Sequence, residues 1–265
     1  MKRISKIMKN KIVLIGAGNL ASQLSLRLQE AAYEIVQVVS RSEMSAKTLA
    51  EKLETNFTTE IEKIDNSADL YFFAVADDAI ATILEKLPFK NKILVHTAGS
   101  VGIDIFNGFA NDYGVFYPLQ TFAKNKRPNF GEIPICIEAN STEIKNLLWD
   151  IASKISENVK YISSEERKKI HLAAVFVCNF ANHMFVVSES ILNCSNLNFD
   201  ILKPLIRETV SKIENESPTK MQTGPAFRGD EKTINSHLQI LKKFPEYYET
   251  YKFLSEKIIN QKNGI

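Results

Sequence analysis

The sequence of 265 residues predicts an α/β domain built on a mostly parallel sheet, followed by an all-helical domain. Over residues 1–162, short apolar runs alternate with helix-length segments, which is typical of a parallel sheet with helices on both faces. After Ile162 this alternation stops, and Ser163 and Glu166 have the spacing of a capping box that begins a helix. We therefore predict two domains, residues 1–162 and 163–265.

The strands of the first domain are predicted where short apolar runs are bounded by turn residues. In chain order they are residues 12–15, 34–39, 56–58, 70–75, 92–96, 114–117, 133–138 and 159–162. The helices predicted between them are residues 19–31, 43–54, 77–87 and 142–156.

In the second domain a long helix is predicted from Ser163 to about Leu192, where the polar residues 193–196 break it. Residues 216–229 hold two prolines and two glycines and are predicted to be irregular. The remaining predicted helices are residues 200–214, with a proline tolerated in the first turn, 230–243 and 245–260.

The first strand runs directly into a Gly-x-Gly-x-x-Ala motif formed by Gly16, Gly18 and Ala21. In a Rossmann-type fold the first glycine makes a tight turn, the second admits a pyrophosphate, and the third small residue packs helix on strand. The pyrophosphate would meet the helix N-terminus at Asn19 and Leu20, where free N–H groups favour negative charge. The motif therefore predicts a dinucleotide site, and the alternative is a glycine turn without a ligand.

The second strand ends in Ser40, Arg41 and Ser42, about 20 residues after the glycines. NAD-specific folds carry an acid there, which binds the ribose 2′-hydroxyl. An arginine between two hydroxyls suits a 2′-phosphate instead, because a guanidinium binds phosphate through two hydrogen bonds. The predicted cofactor is therefore NADPH.

Ligands of an open parallel sheet bind outside the carboxyl ends of its strands. The fourth strand is followed by Val75 and Ala76, where backbone can approach a ribose, and Asp77 is a candidate helix N-cap. The fifth strand is followed by Thr97 and Ala98, in a loop of small residues where a nicotinamide would lie. For each loop the alternative is turn chemistry that only ends a strand.

The composition argues against several other classes of protein. Hydrophobic residues make up 45% and charged residues 24%, and a net charge of +2 gives no reason to expect nucleic acid binding. The three cysteines are dispersed, which favours reduced, buried thiols in a cytoplasmic protein over disulfides or a metal site. The basic N-terminal residues are not followed by an apolar signal-peptide core.

Residues 172–188 contain no Asp, Glu, Lys or Arg and could be mistaken for a membrane span. The stretch is short, and lipid would tolerate Asn179, Asn182 and His183 poorly. A helix that is apolar all round is otherwise the central helix of a core or of a subunit interface. We predict no membrane insertion, and a homodimer built on residues 163–265.

Several motifs occur together in one order. They are the glycine motif, Ser-Arg-Ser, Ala-Val-Ala-Asp-Asp, His-Thr-Ala-Gly-Ser, Tyr-Pro-Leu-Gln-Thr-Phe from Tyr117, the segment 171–180 and the segment 223–230. Over nearly the whole chain they resemble a family of bacterial Rossmann-like NADP oxidoreductases with a C-terminal helical domain of unknown function. More distantly, the layout is similar to pyrroline-5-carboxylate reductase, the deazaflavin-dependent NADP oxidoreductases and the 6-phosphogluconate dehydrogenase superfamily. The resemblance implies a small-molecule substrate held between the two domains, commonly across a homodimer interface.

The chain departs from that superfamily at the general acid. The 3-hydroxyacid dehydrogenases carry Lys-x-x-x-Asn on a helix, and if Asn179 is that asparagine, Val175 replaces the lysine and cannot transfer a proton. By residue type His171, two turns earlier, is the candidate proton donor. The alternative is a structural histidine with a backbone partner. Helical spacing places Asn182 and His183 on neighbouring surface to Asn179.

The loop 222–230 is a second candidate binding element. Its glycines, proline and Thr223 precede a helix and suit an anion, and Arg228 could bind a carboxylate through two hydrogen bonds. Pyrroline-5-carboxylate reductase similarly holds its substrate carboxylate with a small-residue loop. The alternative is that Arg228 pairs with Asp230 or Glu231 at the surface.

These features predict a cytoplasmic NADPH-dependent reductase of a small, anionic carbonyl or imine. Loss of the lysine favours an imine, since a protonated imine needs no strong acid. The alternative is a catalytically inactive NADP(H)-binding sensor or regulatory protein. We expect a pocket between the domains, lined by Thr97, Ser100, Asn179 and residues 223–228, with His171 at its wall.

Overall fold

The structure, a computed structural model, describes residues 11–123 and 126–264. Its strands are β1 (Lys11–Ile15), β2 (Glu34–Val39), β3 (Asn56–Thr58), β4 (Leu70–Phe73), β5 (Ile93–His96), β6 (Asp112–Pro118), β7 (Ile135–Ala139) and β8 (Val159–Tyr161). They form one sheet in the order β3-β2-β1-β4-β5-β6-β7-β8, parallel throughout except between β6 and β7. The strand order reverses between β1 and β4, which is the switch point where such sheets bind ligands.

Helices connect the strands and then continue alone. They are α1 (Asn19–Glu30), α2 (Glu43–Leu53), α3 (Ala79–Leu84), α4 (Thr142–Ser153), α5 (Ser164–Ala174), α6 (Ala181–Asn193), α7 (Lys203–Asn215), α8 (Pro225–Arg228), α9 (Glu231–Leu241) and α10 (Pro245–Asn263). A π-helical segment, Val175–Phe180, joins α5 to α6. The predicted fold class, a mostly parallel α/β sheet followed by helices, is confirmed.

Alternating side chains of β1 supply the two cores of the sheet. Ile12 and Leu14 pack with residues of α1, α2 and α4 on one face, whereas Val13 and Ile15 pack with α3 on the other. The period of two residues along a strand produces this division. Helices therefore cover both faces of the sheet, as the sequence predicts.

The capping box that begins α5 is present as predicted: Ser163 accepts from the Glu166 N–H, and the Glu166 carboxylate accepts from the Ser163 N–H. The predicted N-cap of α3 was wrong. The residue before that helix is Asp78, whereas the Asp77 carboxylate accepts a hydrogen bond from the Ser100 hydroxyl. Asp77 thus links the ends of β4 and β5.

The contacts divide the chain into two compact units, residues 1–176 and 177–265. This division falls inside the π-helical segment, so α5 belongs with the sheet, whereas the sequence suggested a boundary after Ile162. The division of function between residues 1–162 and 163–265 stays a prediction.

The helix that runs from Ser164 to Asn193 is long and apolar enough to cross a membrane by length and composition. None of its most apolar window is buried within the chain, and Leu172 and Val177 are exposed. A central core helix, one of the two predicted alternatives, is therefore wrong for the single chain.

The prediction of buried cysteines holds only for Cys136, because Cys178 is half-buried and Cys194 is exposed.

Candidate active site

Gly16 makes the tight turn between β1 and α1. Its φ of +119° lies in a region that residues with side chains rarely adopt, and a Cβ there would overlap the backbone carbonyl of Ala74. The end of β1 therefore passes directly against the end of β4. Only glycine permits this approach.

Gly18 stands just before α1 and leaves its N-terminus open. It provides no side-chain cap, and among the described residues, its chain neighbours aside, no atom lies within 4 Å of the place its Cβ would occupy. Free N–H groups and open space at a helix N-terminus suit a pyrophosphate. Beside them, Asn19 donates from Nδ2 to the carbonyl of Phe122 at 3.0 Å, which brings the chain after β6 to the start of α1.

An open pocket of about 800 Å³ lies at the carboxyl ends of β1, β2 and β4. Eight of the eleven predicted cofactor contacts line it: Gly16, Gly18, Asn19, Leu20, Ser40, Arg41, Val75 and Ala76. Its size and its glycine wall fit a dinucleotide. Arg41 is exposed and makes no ion pair within the described residues, whereas Glu60 on the same wall is paired with Lys63 at 2.7 Å.

The other three predicted cofactor contacts are outside the lining of this pocket. Ser42 caps α2 by accepting from the Ser45 N–H at 3.3 Å. Thr97 donates its hydroxyl to the Phe73 carbonyl at 3.1 Å, and the Ala98 N–H donates to Nδ1 of His96 at 3.2 Å. These contacts shape the ends of β2 and β5, and direct contact with a cofactor stays a prediction for them.

Beyond this pocket along the sheet, Tyr117 and His171 form a hydrogen-bonded pair. The Tyr117 hydroxyl, near the end of β6, lies 3.1 Å from Nδ1 of His171 on α5. Both half-buried rings press against Gly99, where a Cβ would overlap Nδ1 of His171 and approach Cζ of Tyr117 to 3.0 Å. The pair therefore sits at the carboxyl ends of β5 and β6, next to the loop predicted to meet a nicotinamide.

Arg167 fixes α5 on the sheet. Its side chain is 0% exposed and donates from Nη1 to Oε2 of Glu138 on β7 at 2.6 Å, while Nη2 donates to the Val101 carbonyl. The same Glu138 oxygen accepts from the Ser164 hydroxyl at 2.7 Å. An arginine at full burial is stable only when such partners compensate its charge.

The spacing of residues along α5 and along β6 explains how the Arg167–Glu138 ion pair positions His171. Glu138 lies opposite Val115, two residues before Tyr117 on β6. Two residues of strand advance about 6.6 Å, and the four residues from Arg167 to His171 advance about 6 Å along a helix. The advance along the helix therefore matches the advance along the strand, and Nδ1 of His171 lies within hydrogen-bond distance of the Tyr117 hydroxyl.

The pKa values of two ring side chains near the site, His96 and Tyr117, are shifted in opposite directions. Burial, followed by the positive charge of Arg167, lowers the pKa of His96 to about 3, so this histidine is neutral near pH 7. Burial raises the pKa of Tyr117 above its ordinary value. Cys136 and Asp77 act on it in the same direction, whereas Arg167 opposes them. His96 therefore cannot serve as an acid, and Tyr117 is protonated near pH 7.

The remaining predicted site residues belong to the second unit. Asn179 lies in the π-helical segment and is exposed, as are Thr223 and Arg228. Among the described residues Arg228 has no ion pair within 4.0 Å, but its positive charge helps to lower the pKa of Asp230, so the alternative of a surface pairing stays open. Asp230 also caps α9 by accepting from the Thr233 N–H at 3.1 Å. The predicted pocket between the domains, and the roles of these three residues, stay predictions.

The fold and its glycine-lined pocket define an α/β protein of the Rossmann dinucleotide-binding class. Residues 11–100 match the family described as NADP oxidoreductase coenzyme F420-dependent, and residues 133–258 match the domain of unknown function DUF2520. A "putative NADP oxidoreductase" from Bacteroides fragilis is 44% identical, with a TM-score of 0.89, over 94% of this chain and 98% of that one. The chain belongs to this NADP oxidoreductase family, in which DUF2520 follows the NADP-binding domain.

Two distant structures share the fold. A 1-pyrroline-5-carboxylate reductase from Streptococcus pyogenes is 16% identical over 96% of this chain and 98% of that one, with a TM-score of 0.59. An imine reductase from Myxococcus stipitatus, solved in complex with NADP+, is 13% identical over 94% and 92%, with a TM-score of 0.67. No curated protein matches the chain significantly.

Proposed function

We propose that this protein is an NADPH-dependent reductase of a small, anionic carbonyl or imine. The observation that carries the proposal is the pocket of about 800 Å³ at the switch point, bounded by Gly16, Gly18 and Arg41. When bound, the cofactor supplies a hydride from its nicotinamide. The family to which the chain belongs and the NADP+ in the imine reductase support the same cofactor.

Arg41 is the residue that we assign to the choice of cofactor. Its exposed guanidinium stands at the end of β2, where the adenosine ribose of a dinucleotide lies in this fold. Lys86 lines the same pocket and adds a second positive charge. The lining also contains Glu60, Glu62 and Asp78, so the proposal rests on the position of Arg41, whose guanidinium favours the 2′-phosphate of NADPH over the 2′-hydroxyl of NADH.

We assign recognition of the substrate's negative charge to the segment around Thr223 and Arg228. Gly224, with φ +107°, and Gly229, with φ +75°, bend the chain on either side of α8. Arg228 stays exposed and has no ion pair within 4.0 Å among the described residues, although its charge acts on Asp230. Such an arginine is available to bind a carboxylate through two hydrogen bonds.

We also propose that the chain forms a homodimer through its C-terminal helices. Val177 is 77% exposed and Leu172 61% exposed, in a helix whose apolar window has no buried residue. Ile201 and Leu205, further along the second unit, are exposed as well. We propose a second copy of this chain as the partner that covers these apolar side chains, because each copy carries the same apolar face and the two faces can pack on each other. The Arg167–Glu138 ion pair holds the first turns of the same helix on the sheet, which argues against a membrane span.

The test is a screen of NADPH oxidation by the purified chain against small 2-keto acids and cyclic imines carrying a carboxylate. Oxidation that depends on one of these substrates supports the proposal. If NADPH binds but none of them is reduced, the alternative of a catalytically inactive sensor is favoured. That alternative draws on Val175, which stands in place of the lysine of the 3-hydroxyacid dehydrogenases.

A further inference from the structure

We propose that the Tyr117 hydroxyl donates the proton to a carbonyl oxygen of the substrate, with His171 behind it as the source of that proton. This inference rests on the proposed reductase function and deepens it, because it selects a carbonyl over an imine. Tyr117 would be a catalytic residue, and His171 a positioning residue that acts through it.

The position of the pair supports this role. Within the sheet, β4 borders β5 and β5 borders β6. The end of β4 lines the cofactor pocket at Val75 and Ala76, the loop after β5 contains Gly99, and Tyr117 stands at the end of β6. Neighbouring strands are about 4.8 Å apart, so the strand that carries Tyr117 lies two strand spacings from β4, whose end lines the pocket.

The hydrogen bond to His171 controls where the phenol proton points. A protonated imidazole has a donor on both ring nitrogens. Nδ1 then donates to the Tyr117 oxygen, 3.1 Å away, and the Tyr117 O–H must point to another acceptor. A substrate oxygen beside the phenol is such an acceptor.

The step balances in atoms and charge. The carbonyl carbon gains the hydride that bound NADPH supplies, which leaves NADP+. The carbonyl oxygen gains the Tyr117 proton as the π bond breaks, and the phenol oxygen takes the proton from Nδ1 of His171. The neutral imidazole regains a proton from water, and the product is an alcohol.

The surroundings of Tyr117 explain why the phenol needs this partner. The charged and titratable groups that act on it are His171, Asp77, Cys136 and Arg167. Burial, Cys136 and Asp77 raise its pKa, which makes the isolated phenol a weaker acid. Proton delivery from His171 compensates, because the phenol then passes on a proton without remaining ionised.

The substrate class follows from the presence of an acid. A protonated imine already carries its proton, so hydride addition to it needs no donor. A carbonyl gains most from one, because negative charge develops on its oxygen. The sequence favoured an imine because Val175 replaces a lysine, and the Tyr117–His171 pair removes that reason.

The test compares Tyr117→Phe with Tyr113→Phe in the full chain, using 2-keto acids and preformed iminium salts. Tyr113 lies on the same strand, but its hydroxyl donates to Asn107 at 2.6 Å, away from the pair. We expect Tyr117→Phe to lower kcat for the keto acid about 100-fold, with NADPH affinity and melting temperature unchanged. Tyr113→Phe keeps the kcat of the unchanged protein.

A second variant, His171→Gln, tests the source of the proton. The variant should show a lower kcat for the keto acid than the unchanged protein, because the group that passes a proton to the Tyr117 oxygen is removed. Because the two groups act in series, the double variant should be no slower than Tyr117→Phe alone.

The outcomes separate this inference from the proposed function. If the unchanged protein reduces a keto acid and Tyr117→Phe keeps more than about one third of its kcat, far short of the loss typical for a proton donor, the inference is overturned alone. Reduction of iminium salts but of no carbonyl also overturns it and leaves the reductase function standing. If the unchanged protein reduces none of these substrates, the result contradicts both the proposed reductase function and the role of Tyr117.

Discussion

Arg167 of α5 and Glu138 of β7 form a buried ion pair, with Nη1 and Oε2 2.6 Å apart. The pair holds the first turns of α5 against the sheet, one helical turn before His171. The stability of this region and the geometry of the candidate active site therefore both depend on Arg167 and its partners.

Arg167→Met should destabilise the protein by about 3–5 kcal/mol, because it leaves the Glu138 carboxylate buried without its cation. Lys168→Met is the matched control, since Lys168 pairs with Glu165 at 3.0 Å on the exposed side and should change stability by about 0.5 kcal/mol or less. Urea unfolding of the full chain measures both. Equal losses in the two variants would contradict a buried, structural role for Arg167.

His96 should make the protein sensitive to acid. Its pKa is lowered from 6.5 to about 3 by burial and by Arg167, so between these values the unfolded chain binds a proton that the folded chain excludes. The free energy of unfolding should therefore fall as the pH drops below 6.5, by up to about 1.4 kcal/mol per pH unit. In the His96→Gln variant this loss of unfolding free energy at low pH should be absent. If the free energy of unfolding falls with pH equally in the variant and in the unchanged protein, His96 is not responsible.

The local motifs of this chain were predictable, whereas the candidate acid pair was not. The glycine turn and the capping box join residues within one turn of chain, so their spacing is visible in the sequence. Tyr117 and His171 are 54 residues apart, and Glu138 and Arg167 are 29 apart. Their meeting depends on the register of β6 against β7 and on the path of α5, which no local pattern encodes. Only the four-residue spacing of Arg167 and His171 hinted at a shared helix face.

The homodimer can be tested by light scattering in buffer without detergent. At about 50 μM the unchanged protein should have twice the 30.0 kDa chain mass, since an obligate interface has a Kd well below about 1 μM. Val177→Asp should shift it to the monomer, because a carboxylate would be buried in the interface. Met44→Asp, at an exposed position on α2, is the control. A monomer in the unchanged protein would refute the homodimer.

Arg228→Ala should weaken an anionic substrate or inhibitor by about 1.5–3 kcal/mol, which is the contribution of a charged hydrogen bond. NADPH affinity should stay the same, because Arg228 is not among the residues that line the cofactor pocket. Titration of an unreactive carboxylate inhibitor into the NADPH complex measures the effect. Arg207→Ala, an exposed arginine on α7, is the control. The same inhibitor affinity in all three proteins would exclude Arg228 from the site.

The most direct test of the central claim is a calorimetric titration of NADPH and NADH into the unchanged protein and into Arg41→Ala. The pocket at the end of β2 should bind NADPH at least ten-fold tighter than NADH, a difference of about 1.4 kcal/mol. Arg41→Ala should lose most of that preference, while Lys47→Ala, an exposed lysine of α2 outside the pocket lining, should retain it. Equal affinities for the two nucleotides in the unchanged protein, or no binding of either, would contradict the claim.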